Sequence, residues 1–238
     1  MARIAIDIDP VAIIRNLFGQ KIPDPAHVVV LAELGGAESI ICYLREDLKS
    51  VNERDVRILL RELATSHLNV RTAIAGENVR KLLKIKPDMV TFVSTGAAGT
   101  LSPRPLVLEE FVDTISTYVA DFRANNIASS VLVEPELNQV KLAAKLELDY
   151  IELFAEKYIL AEDMDTQLSE LENLNSIVLA ANRLGLGVNI SGNFNQDNLK
   201  DLSKITYVDD LIVNNALLVK ALSIGYEQAV RDFISVMH

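Results

Sequence analysis

Asp7 and Asp9 stand two residues apart near the start of the chain, in "RIAIDIDP". If that run is a strand, both carboxylates lie on one face. The same alternation recurs in "IICYLRED", where Tyr43 and Arg45 share a face and Cys42 takes the other. Further along, short apolar runs end in Arg71, in Glu134, in Glu152 and Phe154, in Asn189 and Ser191, and in Asn214-Asn215. Carboxylates can move a proton, a tyrosine can donate a hydrogen bond, and arginines can grip a carboxylate or phosphate. The candidates for catalysis are therefore Asp9, Tyr43 and Glu152. The candidates for ligand binding are Arg45, Arg71, Asn189, Ser191, Gly192 and Asn215. Burying such a set in an aliphatic protein is costly unless its members pair with each other or with a ligand.

Histidine is missing from these positions. His27 falls in the first helical stretch, His67 just before the third strand-like run, and His238 at the last residue. Neither a histidine base nor a histidine-held metal is expected at the strand ends. Asp7, Asp9 and Glu152 could hold Mg²⁺ between them, but paired acids are as often bridged to arginines, and no metal or cofactor is expected. Cys42 is the single cysteine; it reads as a small buried hydrophobe and rules out an intramolecular disulfide.

Such residues need a scaffold to bring them together. The predicted strands are 3–9, 39–44, 68–72, 89–93, 129–134, 150–154, 187–191 and 210–214. Most are rich in β-branched residues and nearly continuous in hydrophobicity, as parallel strands covered by helices should be. Helical sequence lies between them. "DPAHVVVLAELGG" offers Asp24 as N-cap, Pro25 at the first helical position and glycines at the stop. "EEFVDTISTYVADF" sets Phe111, Ile115, Tyr118, Val119 and Phe122 on one face, and "LSELENLNSIVLAANRLG" ends at Gly185, a left-handed cap.

Strand and helix alternating eight times predict an α/β protein, a single-domain (β/α)8 TIM barrel with extra helices over residues 1–238. An open doubly wound sheet is the rival, but no Gly-x-Gly-x-x-Gly follows the first strand. Chemistry in a barrel sits where strands end and βα loops begin. The longest irregular stretch, Ser94–Leu108, has glycines at 96 and 99 and prolines at 103 and 105. It reads equally as a lid over the mouth and as a plain surface loop. After the seventh strand, "NISGNFNQDN" has one glycine, Gly192, and Asn195 suits the cap of a short helix from Gln196. An anion site there is weakly encoded, because capping explains the asparagines as well.

Composition narrows the rest. Of 238 residues, 50% are apolar and 5% aromatic, so the core is aliphatic. A net charge of −10 argues against nucleic acid as a partner. No run of about 18 apolar residues exists, so no membrane-spanning helix is expected. The chain enters a strand almost at once, which leaves no signal peptide in view and makes a soluble cytoplasmic protein the expectation.

The chain resembles the pyridoxine 5′-phosphate synthase family over essentially its full length. The stretches that carry the resemblance are "DIDPVAIIRN", "PDPAHVVVLAELGGAESI", "LREDLKSVNERDVRILLREL", "LNVRTA", "KPDMVTFV", "LGLGVNISG" and "GYEQAVRDF". It implies an eight-stranded barrel with extra helices, assembled from dimers into larger oligomers. It also implies condensation of 1-deoxy-D-xylulose 5-phosphate with 3-amino-2-oxopropyl phosphate to form the vitamin B6 ring.

The departures fall at the chemistry. Where the family writes "NIDHVATLRN", this chain has Asp7 for the leading asparagine and Pro10 for the histidine, while Asp9 and Arg15 match. Tyr43 stands for the working histidine of "VHLRED", with Arg45, Glu46 and Asp47 kept. Arg71 stands for the acid–base glutamate of "LNLE", which reverses the charge. "VPEKR" becomes Val93-Ser94-Thr95-Gly96-Ala97, and "TTEGG" becomes Leu101-Ser102-Pro103-Arg104-Pro105. "ELHTG" keeps Glu152 but has Phe154 for its histidine. "NAGHGL" becomes Asn189-Ile190-Ser191-Gly192-Asn193-Phe194, and "NIGH" becomes Ile212-Val213-Asn214-Asn215.

Three readings follow. The first is a relative that has lost the ring-closing activity and serves as a structural, regulatory or binding subunit. Its mouth is closed by its own ion pairs, with Arg71 neutralising Glu152 or Asp9 and with Tyr43 and Phe154 filling the space. The second is an enzyme of changed chemistry on a small carboxylate or phosphate, and the third is residual synthase activity. The resemblance implies a homo-oligomer, dimer or higher, under all three; a protein partner and a small anion are the remaining partners to expect.

Overall fold

The computed structural model describes residues 2–74, 76–95 and 100–237. Its strands are β1 (Arg3–Asp7), β2 (Ser39–Tyr43), β3 (His67–Ala73), β4 (Met89–Val93), β5 (Ala128–Val133), β6 (Tyr150–Phe154), β7 (Gly187–Ser191) and β8 (Asp210–Val213). Each pairs in parallel with the next, and β8 closes on β1. The result is the expected closed (β/α)8 barrel. Three strands carry two helices each: β1 is followed by Asp9–Phe18 and Pro25–Leu34, β6 by Glu156–Ile159 and Met164–Arg183, and β8 by Asn215–Ile224 and Tyr226–Val236.

Local sequence accounts for the helix ends. The Asp24 carboxylate accepts the Ala26 N–H at 3.0 Å, and the helix it opens stops at Gly35. Asn52 and Asp55 form a reciprocal capping box at the start of Glu53–Glu62. Gly185, at φ +82°, ends the Met164–Arg183 helix as its sequence predicts. Gly35 has a second role. A Cβ there would lie 2.7 Å from the Val230 Cβ and 2.8 Å from the Glu227 carbonyl oxygen of the last helix. Gly35→Ala is expected to cost about 1–3 kcal/mol by overpacking, read as a lower melting temperature. An unchanged melt would show that the two helices can part without loss.

Strand side chains alternate between two environments. Ile4, Ile6, Ile40, Cys42, Leu68 and Val70 join the large core between barrel and helices. The opposite set faces the bore, and the strand register stacks it in layers drawn from alternate strands. Ala5, Asn69, Ser130 and Asn189 form one layer. Ile41, Thr91, Glu152 and Ile212 lie above it, then Asp7, Arg71, Leu132 and Ser191. Tyr43, Val93, Leu132 and Phe154 pack together near the rim.

Two expectations need correction. β1 ends at Asp7, and Asp9 opens the following helix rather than continuing the strand. The cause is a local bond: the Asp9 N–H donates to Asp7 Oδ1 at 2.9 Å, which turns the chain. β5 ends at Val133, so Glu134 lies outside the bore and pairs with Lys157 at 3.3 Å. Of the irregular stretch 94–108, residues 96–99 lie outside the described residues, as does His238. Its flanks are joined by an antiparallel bridge between Ser94 and Arg104.

Candidate functional site

Arg71 crosses the bore from β3. Its Nη2 and Nε donate to the two oxygens of Glu152 on β6 at 2.6 and 3.2 Å, and its Nη1 donates to Asp7 Oδ2 on β1 at 2.8 Å. All three are buried, with Arg71 at 2% exposure. Burial alone would lower the arginine pKa, but Glu152 and Asp7 outweigh it and hold the guanidinium charged. Sequence reasoning paired Arg71 with Glu152 or Asp9; the structure selects Glu152 and Asp7. The reason is the layer: Asp7 and Arg71 lie at one level, with Glu152 on the level beneath.

Asp9 sits beside this bridge. Its Oδ1 accepts the Tyr43 N–H at 2.9 Å and also the Ser50 hydroxyl. No arginine or lysine bonds it among the described residues. Burial first, and then the neighbouring Asp7 charge, raise its pKa from 3.8 to about 8, against the opposing hydrogen bonds and Arg71. Asp9 therefore holds a proton at neutral pH, and its carboxyl hydrogen-bonds that of Asp7. Asp7 is raised as well, because burial exceeds the pull of Arg71. Burial likewise raises the Tyr43 phenol, and its ring lies 5.2 Å from the Arg45 guanidinium.

A cavity of about 120 Å³ opens above Arg71 at the C-terminal ends of the strands. Asp7, Asp9, Arg71, Ser191, Gly192 and Asn215 line it, together with Phe154 and the loop residues Thr100–Arg104. The remaining candidates lie elsewhere. Asn189 is two layers lower, where its Oδ1, Asn69 Nδ2 and Ser130 Oγ have no partner among the described residues. Arg45 is spent on Asp47 by two bonds of 2.7 Å and on the Leu101 carbonyl at 2.9 Å. Glu152 lies under Arg71, and Tyr43 packs against Val93, Leu132 and Phe154. Arg104 lines the cavity but binds Glu156 at 2.8 Å and lies over the Phe154 ring at 5.7 Å.

Two residues escaped the sequence reading. Ser50 reaches Asp9 because a parallel bridge between Leu44 and Val51 brings its loop back to the end of β2, a pairing no local signal announces. Asp55 binds Arg15 through two bonds of 2.8 and 2.7 Å, tying the first helix to the start of the Glu53–Glu62 helix. Its capping box with Asn52 was the available signal. Among the described residues no cluster of histidine, cysteine and carboxylates has a geometry for metal. No helix among them is long and apolar enough to cross a membrane.

A closed parallel barrel with its polar side chains gathered at the strand C-termini defines a (β/α)8 protein of the strand-end-site type. Within that class the chain belongs to the family described as "Pyridoxal phosphate biosynthesis protein PdxJ", whose sequence profile matches residues 4–238. Pyridoxine 5′-phosphate synthase of Geotalea daltonii is 32% identical over 237 residues, covering 100% of this chain and 99% of that protein. The Geobacter metallireducens protein of the same name is 31% identical over the same coverage. A solved KGPDC from Streptococcus mutans superposes with a TM-score of 0.67 at 12% identity, over 99% of this chain and 97% of that one, a likeness of fold.

Proposed function

We propose that this chain is a pyridoxine 5′-phosphate synthase-like barrel that has lost the ring-closing activity and serves as a non-catalytic structural, regulatory or binding subunit. One observation carries the reading: the position that the family resemblance gives to an acid–base glutamate holds Arg71, locked between Glu152 and Asp7. A guanidinium cannot take a proton, and losing one acid–base group costs about 10²–10⁴ in rate. The cavity supports the same reading. At about 120 Å³ it lies below the roughly 300–1,000 Å³ of ordinary ligand pockets, and two phosphorylated substrates must share it. Work in the cytoplasm as a homo-oligomer, or with a protein partner, is part of this proposal.

The deciding experiment supplies purified protein with 1-deoxy-D-xylulose 5-phosphate and 3-amino-2-oxopropyl phosphate and measures pyridoxine 5′-phosphate. The expected outcome is no product above background, beside an authentic synthase as control. Turnover near that control overturns the proposal. Asp9 favours a second reading, an enzyme of changed chemistry, because a buried carboxyl with its pKa at about 8 is poised to exchange a proton near neutrality.

A further inference from the structure

Among the described residues, five ionisable side chains line the mouth cavity: Asp7, Asp9, Glu156, Arg71 and Arg104. Both arginines are already neutralised, Arg71 by Asp7 and Glu152, Arg104 by Glu156. Between Thr95 and Thr100 the sequence reads Gly-Ala-Ala-Gly, with no ionisable side chain. Among the described residues Asp9 is the one lining carboxylate that no cation bonds; its partners are the Tyr43 N–H, the Ser50 hydroxyl and the Asp7 carboxyl. Ser191 lines the same cavity at 6% exposure, and its hydroxyl bonds no described residue.

The wall after β7 and β8, next to β1 in the barrel, spends amide donors on its own asparagines. Asn214 Oδ1 accepts the Asn215 N–H at 2.7 Å, so the helix start after β8 is capped from within the chain. Asn193 Oδ1 takes the Asn214 side-chain amide at 3.0 Å. Both lining guanidiniums are already paired with carboxylates, so an incoming phosphate meets no free cation among the described residues.

We propose that this cavity binds a small, unphosphorylated primary amine as its ammonium ion, with Asp9 as counter-ion and Ser191 Oγ as a second acceptor. An ammonium offers three donors and no acceptor, which matches a wall of oxygen acceptors. The proton that Asp9 retains without a cation is the charge that the ammonium replaces. The volume suits a molecule of a few non-hydrogen atoms, since a water's share of the liquid is about 30 Å³. The inference deepens the proposed function and rests on its premise that the phosphorylated substrates are not taken.

The test titrates the full chain at neutral pH with ethanolamine, and separately with inorganic phosphate, reading the melting temperature and the heat of binding. Ethanolamine is expected to raise the melting temperature saturably and phosphate to leave it unchanged. Asp9→Asn should abolish the ethanolamine shift while the variant still melts cooperatively, and Ser191→Ala should weaken binding about tenfold or more. No saturable ethanolamine shift, a shift that survives Asp9→Asn, or saturable phosphate binding overturns the proposal. Synthase turnover is read in a separate assay, so absence of both product and ethanolamine binding sinks this inference alone.

Discussion

Arg71→Glu is expected to lower the melting temperature by roughly 6–20 °C. Removing one partner from a buried ion pair costs about 3–5 kcal/mol, and each kcal/mol moves the midpoint about 2–4 °C in a chain of this size. The charge balance explains why. Arg71 is the cation that bonds Asp7 and Glu152, all three being at most 4% exposed. Glutamate at this position leaves three carboxylates facing one another across the bore, with Asp9 close by. Arg71→Met separates the two contributions, because it removes the cation without adding a charge and should lose less than the glutamate. A glutamate variant that melts at the same temperature or higher would show that the bridge does not hold the bore together.

The second large effect is one of pH, and it runs opposite to the usual behaviour of a carboxylate. Asp9 has a folded pKa of about 8 against its ordinary 3.8. Between those values the folded chain holds a proton that the unfolded chain has released, so the Asp9 contribution falls as pH rises. That contribution is fully present below about pH 4 and lost by the time pH has passed about 8. Its size is of the order of several kcal/mol, since each pKa unit corresponds to about 1.36 kcal/mol. Asparagine mimics the protonated acid: its oxygen can accept from Tyr43 and Ser50, and its amide can donate to Asp7. Asp9→Asn is therefore expected to flatten the wild-type decline and to melt above wild type on the alkaline side. Denaturant unfolding of both proteins from pH 4 to pH 9 checks this, the difference between the two curves isolating Asp9 from every other titrating group. Parallel curves would show that Asp9 ionises as an ordinary surface acid does.

The amino-acid sequence by itself determined the architecture. Eight β-branched runs alternating with capped helices leave few solutions besides a closed parallel barrel, and the caps at Asp24, Gly185 and Asn195 are local chemistry that reads directly from the chain. The two faces of each strand were legible too, as Cys42 in the outer core and Tyr43 in the bore attest. Family membership followed from the same text, since the motifs span the chain. What only the tertiary structure decided was the depth of each polar residue and its partner. Strand periodicity assigns a side chain to the inside of the barrel but not to a level. That level depends on the stagger between strands, which is a property of the closed sheet. It is why Arg71, level with Asp7 and one layer above Glu152, meets those two rather than Asp9; Ser50 arrives from a loop to hold Asp9. Asp9 left its strand for a reason equally invisible in the pattern: one backbone N–H found the Asp7 carboxylate and turned the chain into a helix.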